Sequence, residues 1–420
     1  MSFNRICVVG LGYIGLPTAA LLASRQQPVF GVDVNPHVVE TINQGHTHIT
    51  EPGLAQTVQL AVAQGYLQVG THPVSAQAFL IAVPTPLKAG HQPDISFVET
   101  AALSLASVLK PGDVVILEST SPVGTTEQMA AWLAQARPDL SFPQQVGEAS
   151  DICIAYCPER VLPGRIMEEL LSQERVIGGM TPRCAARASE LYRLFLDSDC
   201  VMTDVRTAEM CKLTENSFRD VNIAFANELS LICAEQHIDV WTLIRLANRH
   251  PRVDILQPGP GVGGHCIAVD PWFIVSQYPQ QARLIRTARE VNDAKPRWVM
   301  ERVKIMVAEA LAQGGNRARE LRIACLGLAF KPDVEDLRGS PALAIAEQIA
   351  EWHVGITWVV EPNIRQLPPG LQVKARLVNI DLALSEADML VLLVDHRQFR
   401  ALAPEQVAQR WVVDTKGVWR

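Results

Sequence analysis

The 420-residue chain has no Cys-x-x-Cys pair. Its nine cysteines are odd in number and scattered, and Cys153 and Cys157, four apart, have no matching pair elsewhere. That pattern argues against a disulfide framework and against a zinc site, so no metal is expected. No apolar run approaches the roughly 18 residues that a membrane span needs. The best, Met389-Leu390-Val391-Leu392-Leu393-Val394, suits a buried strand. The opening Met1-Ser2-Phe3-Asn4-Arg5 lacks the apolar region of a signal peptide. Positive charge is not in excess either. A formal net charge of -7 gives no reason to expect nucleic acid or an anionic membrane as partner. The expected protein is soluble and cytoplasmic. A small anionic ligand stays open, because local clusters of Arg and Lys set a site and the total does not.

Hydrophobic residues are 48% and charged residues 19%, ample for packed cores. Through the first two hundred residues short apolar runs alternate with helical stretches. Residues 6–9, 29–32, 79–83 and 114–117 read as buried parallel strands, an α/β doubly wound pattern. From 207 to 236 the chain has no Gly or Pro, and a helix of that length reaches roughly 45 Å. Such a helix links domains or packs on a second subunit. A second helix is expected over 296–313, with Pro296 at its start and Gly314-Gly315 after its end. Strands resume at 321–326, 357–360, 389–394 and 411–413. Val32-Asp33-Val34-Asn35 and Val360-Glu361-Pro362-Asn363 end matching strands in the two halves. The reading is two Rossmann-like domains joined by a long central helix and a helical middle.

Gly10-Leu11-Gly12-Tyr13-Ile14-Gly15 follows a strand and precedes a helix, and Asp33 ends the next strand 18 residues after Gly15. In that context GxGxxG is a dinucleotide fingerprint: the glycines let the backbone approach a pyrophosphate at a helix N-terminus. Asp33 would accept hydrogen bonds from ribose hydroxyls and repel a 2′-phosphate, which favours NAD over NADP. Thr85, Thr120 and Thr126 follow later strands; each is either a cofactor-site hydroxyl or a cap of the next helix.

Lys212, Asn216 and Arg219 fall at i, i+4 and i+7, on one helical face. That row is either a solvated stripe or part of a site. Cys266 lies in Gly261-Val262-Gly263-Gly264-His265-Cys266-Ile267-Ala268-Val269-Asp270-Pro271. A lone Cys is usually structural. Here glycines would let a substrate approach the sulfur, and a neighbouring Lys would favour the thiolate. Arg160, His250, Arg252, Lys331, Arg338 and Lys416 mostly neighbour Pro or Gly, so they are expected on loops. Together they suggest a phosphate-bearing ligand; singly, each is equally a surface charge.

The chain resembles the UDP-glucose/GDP-mannose dehydrogenase family, the nucleotide-sugar 6-dehydrogenases, over essentially its whole length. The resemblance rests on Gly10 to Pro17, Tyr156-Cys157-Pro158-Glu159-Arg160, Lys212-Leu213-Thr214-Glu215-Asn216, Gly263-Gly264-His265-Cys266, and Phe330-Lys331-Pro332 to Arg338. Val269 stands where UDP-glucose dehydrogenases usually carry a Lys, which looks like the N-acetylhexosamine branch. The resemblance implies an NAD domain over 1–205, a helical dimerisation segment over 206–316 carrying Lys212 and Cys266, and a nucleotide-sugar domain over 317–420. It implies NAD contacts from Gly10, Gly12, Tyr13, Ile14, Gly15, Asp33, Thr85 and Thr126, with Arg338 near the cofactor. Arg160, Val161, Lys212, Asn216, Arg219, Gly263, Phe330 and Lys331 would meet the sugar nucleotide, with Lys416 nearby. His250 and Arg252 would do so too, across the interface of a homodimer.

The implied reaction is a four-electron oxidation at C6 of a UDP-sugar, two NAD per turnover. UDP-N-acetyl-D-mannosamine stands first, ahead of UDP-N-acetylglucosamine and UDP-glucose, and the product would feed bacterial surface polysaccharide such as enterobacterial common antigen. Cys266 would capture the aldehyde as a thiohemiacetal, and water would release the acid from a thioester. Lys212 is the expected acid/base and oxyanion group, directly or through an ordered water, with Asn216 beside it. Asp270 or Glu159 would position the hydrolytic water. A two-electron β-hydroxyacid dehydrogenase shares the fingerprint and the Lys-x-x-x-Asn, but has no need of Cys266. A non-catalytic sensor has no need of an intact Lys212, Cys266 and Asp270.

Overall fold

The computed structural model describes residues 3–314 and 318–419. The chain forms two compact units, Met1–Glu215 with Trp272–Gln277, and Asn216–Pro271 with Tyr278–Arg420. Among the described residues no helix is long and apolar enough to cross a membrane.

The first unit holds β1 (Ile6–Val9), β2 (Val29–Val32), β3 (Leu67–Gly70), β4 (Ala78–Ile81), the short β5 (Leu87–Lys88) and β6 (Gln92–Pro93), β7 (Val114–Leu117), β8 (Cys153–Tyr156), β9 (Arg175–Gly179) and β10 (Cys200–Asp204). Among the described residues its main sheet runs β10-β9-β8-β7-β4-β1-β2-β3. Every neighbouring pair is parallel except β8 and β9. The run β3-β2-β1-β4-β7 is the doubly wound order, with its switch point between β1 and β4. β1 shows why such strands read as unbroken apolar runs. Ile6 and Val8 enter one core, and Cys7 and Val9 enter another. A parallel sheet is covered on both faces, so both sets must be apolar. Each fully buried Val or Ile contributes about 1.5–3 kcal/mol. The strand expected over 79–83 ends at Ile81, because the Val83 N–H turns away to the Ser119 hydroxyl at 2.9 Å.

The second unit repeats the plan. β11 (Arg322–Leu326), β12 (Ile356–Val360), β13 (Arg376–Leu377), β14 (Met389–Leu392) and β15 (Trp411–Asp414) lie in the order β13-β12-β11-β14-β15, all parallel. Ile323 and Cys325 enter one core, Ala324 and Leu326 another.

The long helix expected over 207–236 spans Val205–Glu235. Asp204 caps it by accepting the Thr207 N–H at 2.9 Å, and His237, at φ 55°, ends it. The second helix departs from expectation. It spans Arg283–Gly314, with Pro296 inside it. Pro cannot donate to the carbonyl four residues back, so local propensity favours a start at 296. Tertiary bonds override it. Arg289 and Asn292, both 1% exposed, reach Asp220 Oδ1 at 2.7 and 2.8 Å, and Asn227 donates to Asn292 at 2.8 Å. Lys295 bonds Ser230 and stacks 4.0 Å from the Trp298 ring, where burial pushes its pKa down to about 7. This polar seam holds the turns before Pro296 helical. Gly315, expected just past the helix, lies outside the described residues.

Candidate functional site

In the first unit the fingerprint turn forms where β1 meets the helix Gly15–Ser24. Gly10 takes φ 90°, and a Cβ there would sit 2.5 Å from the Ala82 carbonyl oxygen. A Cβ on Gly12 would meet nothing within 4 Å. The turn is therefore closed beneath and open above, which suits a pyrophosphate resting on backbone N–H groups. Asp33 braces it, accepting the Leu11 N–H at 3.1 Å and the Asn35 N–H at 2.9 Å. Tyr13 and Ile14 are half-buried on the same turn.

The threonines divide. Thr85 donates to the Thr120 carbonyl at 2.6 Å and is half-buried. Thr126 is fully buried, and its hydroxyl donates to Glu209 of the long helix at 2.6 Å. Glu209 also accepts the Gly124 and Thr126 N–H groups, at 2.6 and 2.8 Å. Nothing in the sequence pattern singled out Glu209, because a lone Glu in a helix reads as surface charge. Burial pushes its carboxyl up, opposed by the bonds from Thr126 and Gly124.

Lys212 is 5% exposed, and its ammonium lies 3.4 Å from Glu159, itself 8% exposed. A buried cation beside a buried carboxylate is not a solvated stripe. Glu159 Oε2 also accepts the Val161 N–H at 2.8 Å, which fixes the loop after β8. Arg160 pairs with Glu215 at 2.7 Å. The expected row along the helix is only partly buried: Asn216 is 6% exposed, whereas Arg219 is exposed.

In the second unit Asn216 donates to Asp270 at 2.5 Å, and Asp270 is 3% exposed. Asp270 begins the helix Asp270–Gln277, where a carboxylate suits the positive end of the dipole. Cys266 is exposed, and its carbonyl accepts the Val269 and Asp270 N–H groups at 3.0 and 2.8 Å. The thiol thus stands on a tight turn leading into the helix that carries Asp270. Of the preceding glycines, Gly263 and Gly264 lie flat against Phe330, and Gly263 also against Gly339. A Cβ at Gly263 would be 2.5 Å from the Gly339 carbonyl oxygen and 3.2 Å from Phe330 Cβ.

Phe330 and Lys331 are half-buried, and Arg338 is exposed, paired with Asp336 at 2.8 Å. Burial raises the Asp336 carboxyl, but the bonds from Arg338 outweigh it and hold it low. His265 lies 3.7 Å from Asp336, and burial pushes its pKa down, helped by the Arg338 charge. Lys416 pairs with Asp395 at 3.3 Å. His250 and Arg252 are exposed. Sequence reasoning noted Glu361 only as a strand-end echo and did not single out His396. The available signal was Val394-Asp395-His396, just beyond the strand beside the second switch point. Among the described residues no group of three or more His, Cys, Asp or Glu side chains is placed to hold a metal ion.

Residues 4–196 match the NAD binding domain of the UDP-glucose/GDP-mannose dehydrogenase family, 206–294 its central domain, and 324–420 its UDP binding domain. The UDP-N-acetyl-D-mannosamine dehydrogenase of Yersinia pestis is 70% identical over 420 residues, covering 100% of both chains. That of Escherichia coli K12 is 68% identical over the same span. The solved UDP-D-ManNAc dehydrogenase from Pyrococcus horikoshii superposes with a TM-score of 0.87 at 37% identity, covering 99% of this chain and 96% of that one. With the turn, the buried Lys212 and the glycine-backed Cys266 in place, the whole chain belongs to the UDP-glucose/GDP-mannose dehydrogenase family.

Proposed function

We propose that the protein oxidises UDP-N-acetyl-D-mannosamine at C6 to UDP-N-acetyl-D-mannosaminuronate, with NAD as oxidant, for bacterial surface polysaccharide such as enterobacterial common antigen. The observation that carries the reading is the pairing of full-length likeness with the exposed Cys266 on its glycine-backed turn. The open turn at Gly12 and the braced Asp33 fit NAD. When bound, NAD supplies a hydride acceptor for each of two oxidations. Tyr13, Ile14, Thr85, Thr126 and Arg338 are its further contacts in this reading, and Arg160, Val161, Arg219, Gly263, Phe330, Lys331 and Lys416 hold the sugar nucleotide.

Lys212 handles the proton of the C6 alcohol and stabilises the alkoxide. The Cys266 thiolate adds to the aldehyde carbon, giving a thiohemiacetal that keeps one C–H bond. Loss of that hydride leaves a thioester, and water attacks it to release the carboxylate and return the thiol. Glu159 or Asp270 orients that water; both are buried, and each is already bonded to a neighbouring site residue, Lys212 and Asn216 respectively. Capture on sulfur keeps a reactive aldehyde from escaping between the two steps.

The segments 1–205, 206–316 and 317–420 serve in this reading as the cofactor, dimerisation and nucleotide-sugar parts. Supporting a homodimer, Phe218, Phe225 and Ile232 stand seven apart on the long helix and are 67, 50 and 52% exposed. Such a stripe is a seam for a second copy, with His250 and Arg252 reaching that copy's substrate. A dimer mass in solution is the expected result, and a monomer at micromolar concentration counts against it.

A panel of UDP-N-acetylmannosamine, UDP-N-acetylglucosamine and UDP-glucose, assayed for NADH, tests the sugar. The first should be oxidised with kcat/KM at least about tenfold above the others, roughly 1.4 kcal/mol of discrimination. Cys266→Ser should lower acid formation by about a thousandfold or more. Near-normal acid from that variant rules out the nucleophile.

A further inference from the structure

The loop that carries Phe330 and Lys331 is held from behind by a histidine. His396 is fully buried, just past β14. Its Nε2 lies 2.9 Å from Glu361 Oε2. Its Nδ1 faces two donors, the Asp333 backbone N–H at 2.9 Å and the Asn363 amide at 3.2 Å. Two donors on Nδ1 leave Nε2 as the protonated nitrogen. The ring therefore donates to the carboxylate and accepts from the loop. Glu361 sets the tautomer, and the tautomer makes the loop bond.

Asp333 is an unusual place for such a bond. It sits at φ 60°, a region that non-glycine residues seldom occupy and that surrounding contacts must enforce. One contact is His396. Another is the Asp333 carboxylate, which accepts the Arg397 N–H at 2.9 Å. Consecutive residues, 396 and 397, thus clamp Asp333 through its backbone and its side chain. Phe330, three residues earlier, donates its N–H to the Asp336 carbonyl at 3.2 Å, and its ring closes on Gly264.

We propose that His396 is a positioning residue for nucleotide-sugar binding, fixing residues 328–339 through the Asp333 N–H so that Phe330 and Lys331 meet the substrate. This rests on reading those two residues as nucleotide-sugar contacts. His396 itself is fully buried, so in this reading it acts through the loop and not on the substrate.

Two substitutions separate its two bonds. His396→Asn puts a carbonyl oxygen near Nδ1 and keeps the loop bond. His396→Gln puts an amide near Nε2 and keeps the Glu361 bond. Binding of UDP by calorimetry, KM for the UDP-sugar, KM for NAD and kcat are read on both. His396→Gln should weaken UDP binding and raise the sugar-nucleotide KM by about tenfold, the scale of one lost hydrogen bond, with NAD KM and kcat within about twofold. His396→Asn should stay within about threefold of wild type for UDP. Equal losses in both, or a larger loss in His396→Asn, overturn the proposal. Should His396→Gln not fold, amide hydrogen exchange on the wild type keeps the test: the Asp333 N–H, held by His396, should be protected and should exchange several-fold more slowly with UDP bound. An Asp333 N–H that exchanges equally fast with and without UDP overturns the proposal as well. Wild type that binds no UDP at all removes the nucleotide-sugar reading itself, whatever the variants do.

Discussion

The first and second sheets build the same corner twice. At β1 and β2, Gly10 takes φ 90° and bonds the Val32 carbonyl at 2.8 Å, and Asp33 then accepts the Leu11 and Asn35 N–H groups. At β11 and β12, Gly327 takes φ 90° and bonds the Val360 carbonyl at 2.9 Å. Glu361 then accepts the Leu328 N–H at 2.7 Å and the Asn363 N–H at 3.0 Å. The difference is what covers the acid. Asp33 is partly exposed. Glu361 is 4% exposed, with His396 on Oε2, the oxygen that also accepts the Leu328 N–H. One corner is open to solvent; the other is sealed and turned inward to brace a loop. A duplicated arrangement does not imply a duplicated ligand.

The comparison breaks most sharply at Asp33. Asp33→Ala should raise the NAD KM by about ten- to a hundredfold, since a buried or semi-buried charged acceptor is worth roughly 1.5–3 kcal/mol, and should leave UDP affinity unchanged. An unchanged NAD KM would mean that the open corner is not the cofactor's. Glu361→Gln is the opposite case. It should cost about 1–3 kcal/mol of stability, seen as a lower melting temperature, with little change in NAD KM. A large NAD effect with no stability loss would contradict the sealed corner.

A smaller effect follows from pH. Burial raises the Glu361 carboxyl, but the His396 bond and the Leu328 and Asn363 N–H groups outweigh it and hold it below the ordinary range. A folded-state pKa below the unfolded one adds stability above the unfolded value, about 4.3 for Glu, and loses it as pH falls through the folded value. The melting-temperature gap between wild type and Glu361→Gln should therefore be full near pH 7 and narrow below about pH 4. A gap that widens on acidification reverses the sign and contradicts the assignment.

The strands at 6–9 and 114–117 were legible because a parallel sheet demands apolar residues at every position. β3, β8, β9 and β10 were not singled out, nor were β5, β6 and β13, whose two residues carry no periodicity. The helix through Pro296 misled local reasoning because Asp220, Asn227 and Ser230, some seventy residues away, hold it. The fingerprint was picked out from residue type and spacing, whereas Lys212 and Cys266 were candidates whose roles came from the family resemblance. Burial was not legible: Lys212 and Arg219 look alike along one helical face, yet one is buried on Glu159 and the other is exposed. Glu209 and His396 were silent because their meaning lies in partners dozens of residues away.

The most direct test counts NADH against sugar acid with UDP-N-acetyl-D-mannosamine as substrate. Two NADH for each UDP-N-acetyl-D-mannosaminuronate, with no free aldehyde, is the predicted result. One NADH with released aldehyde would contradict capture by Cys266 and the four-electron oxidation together.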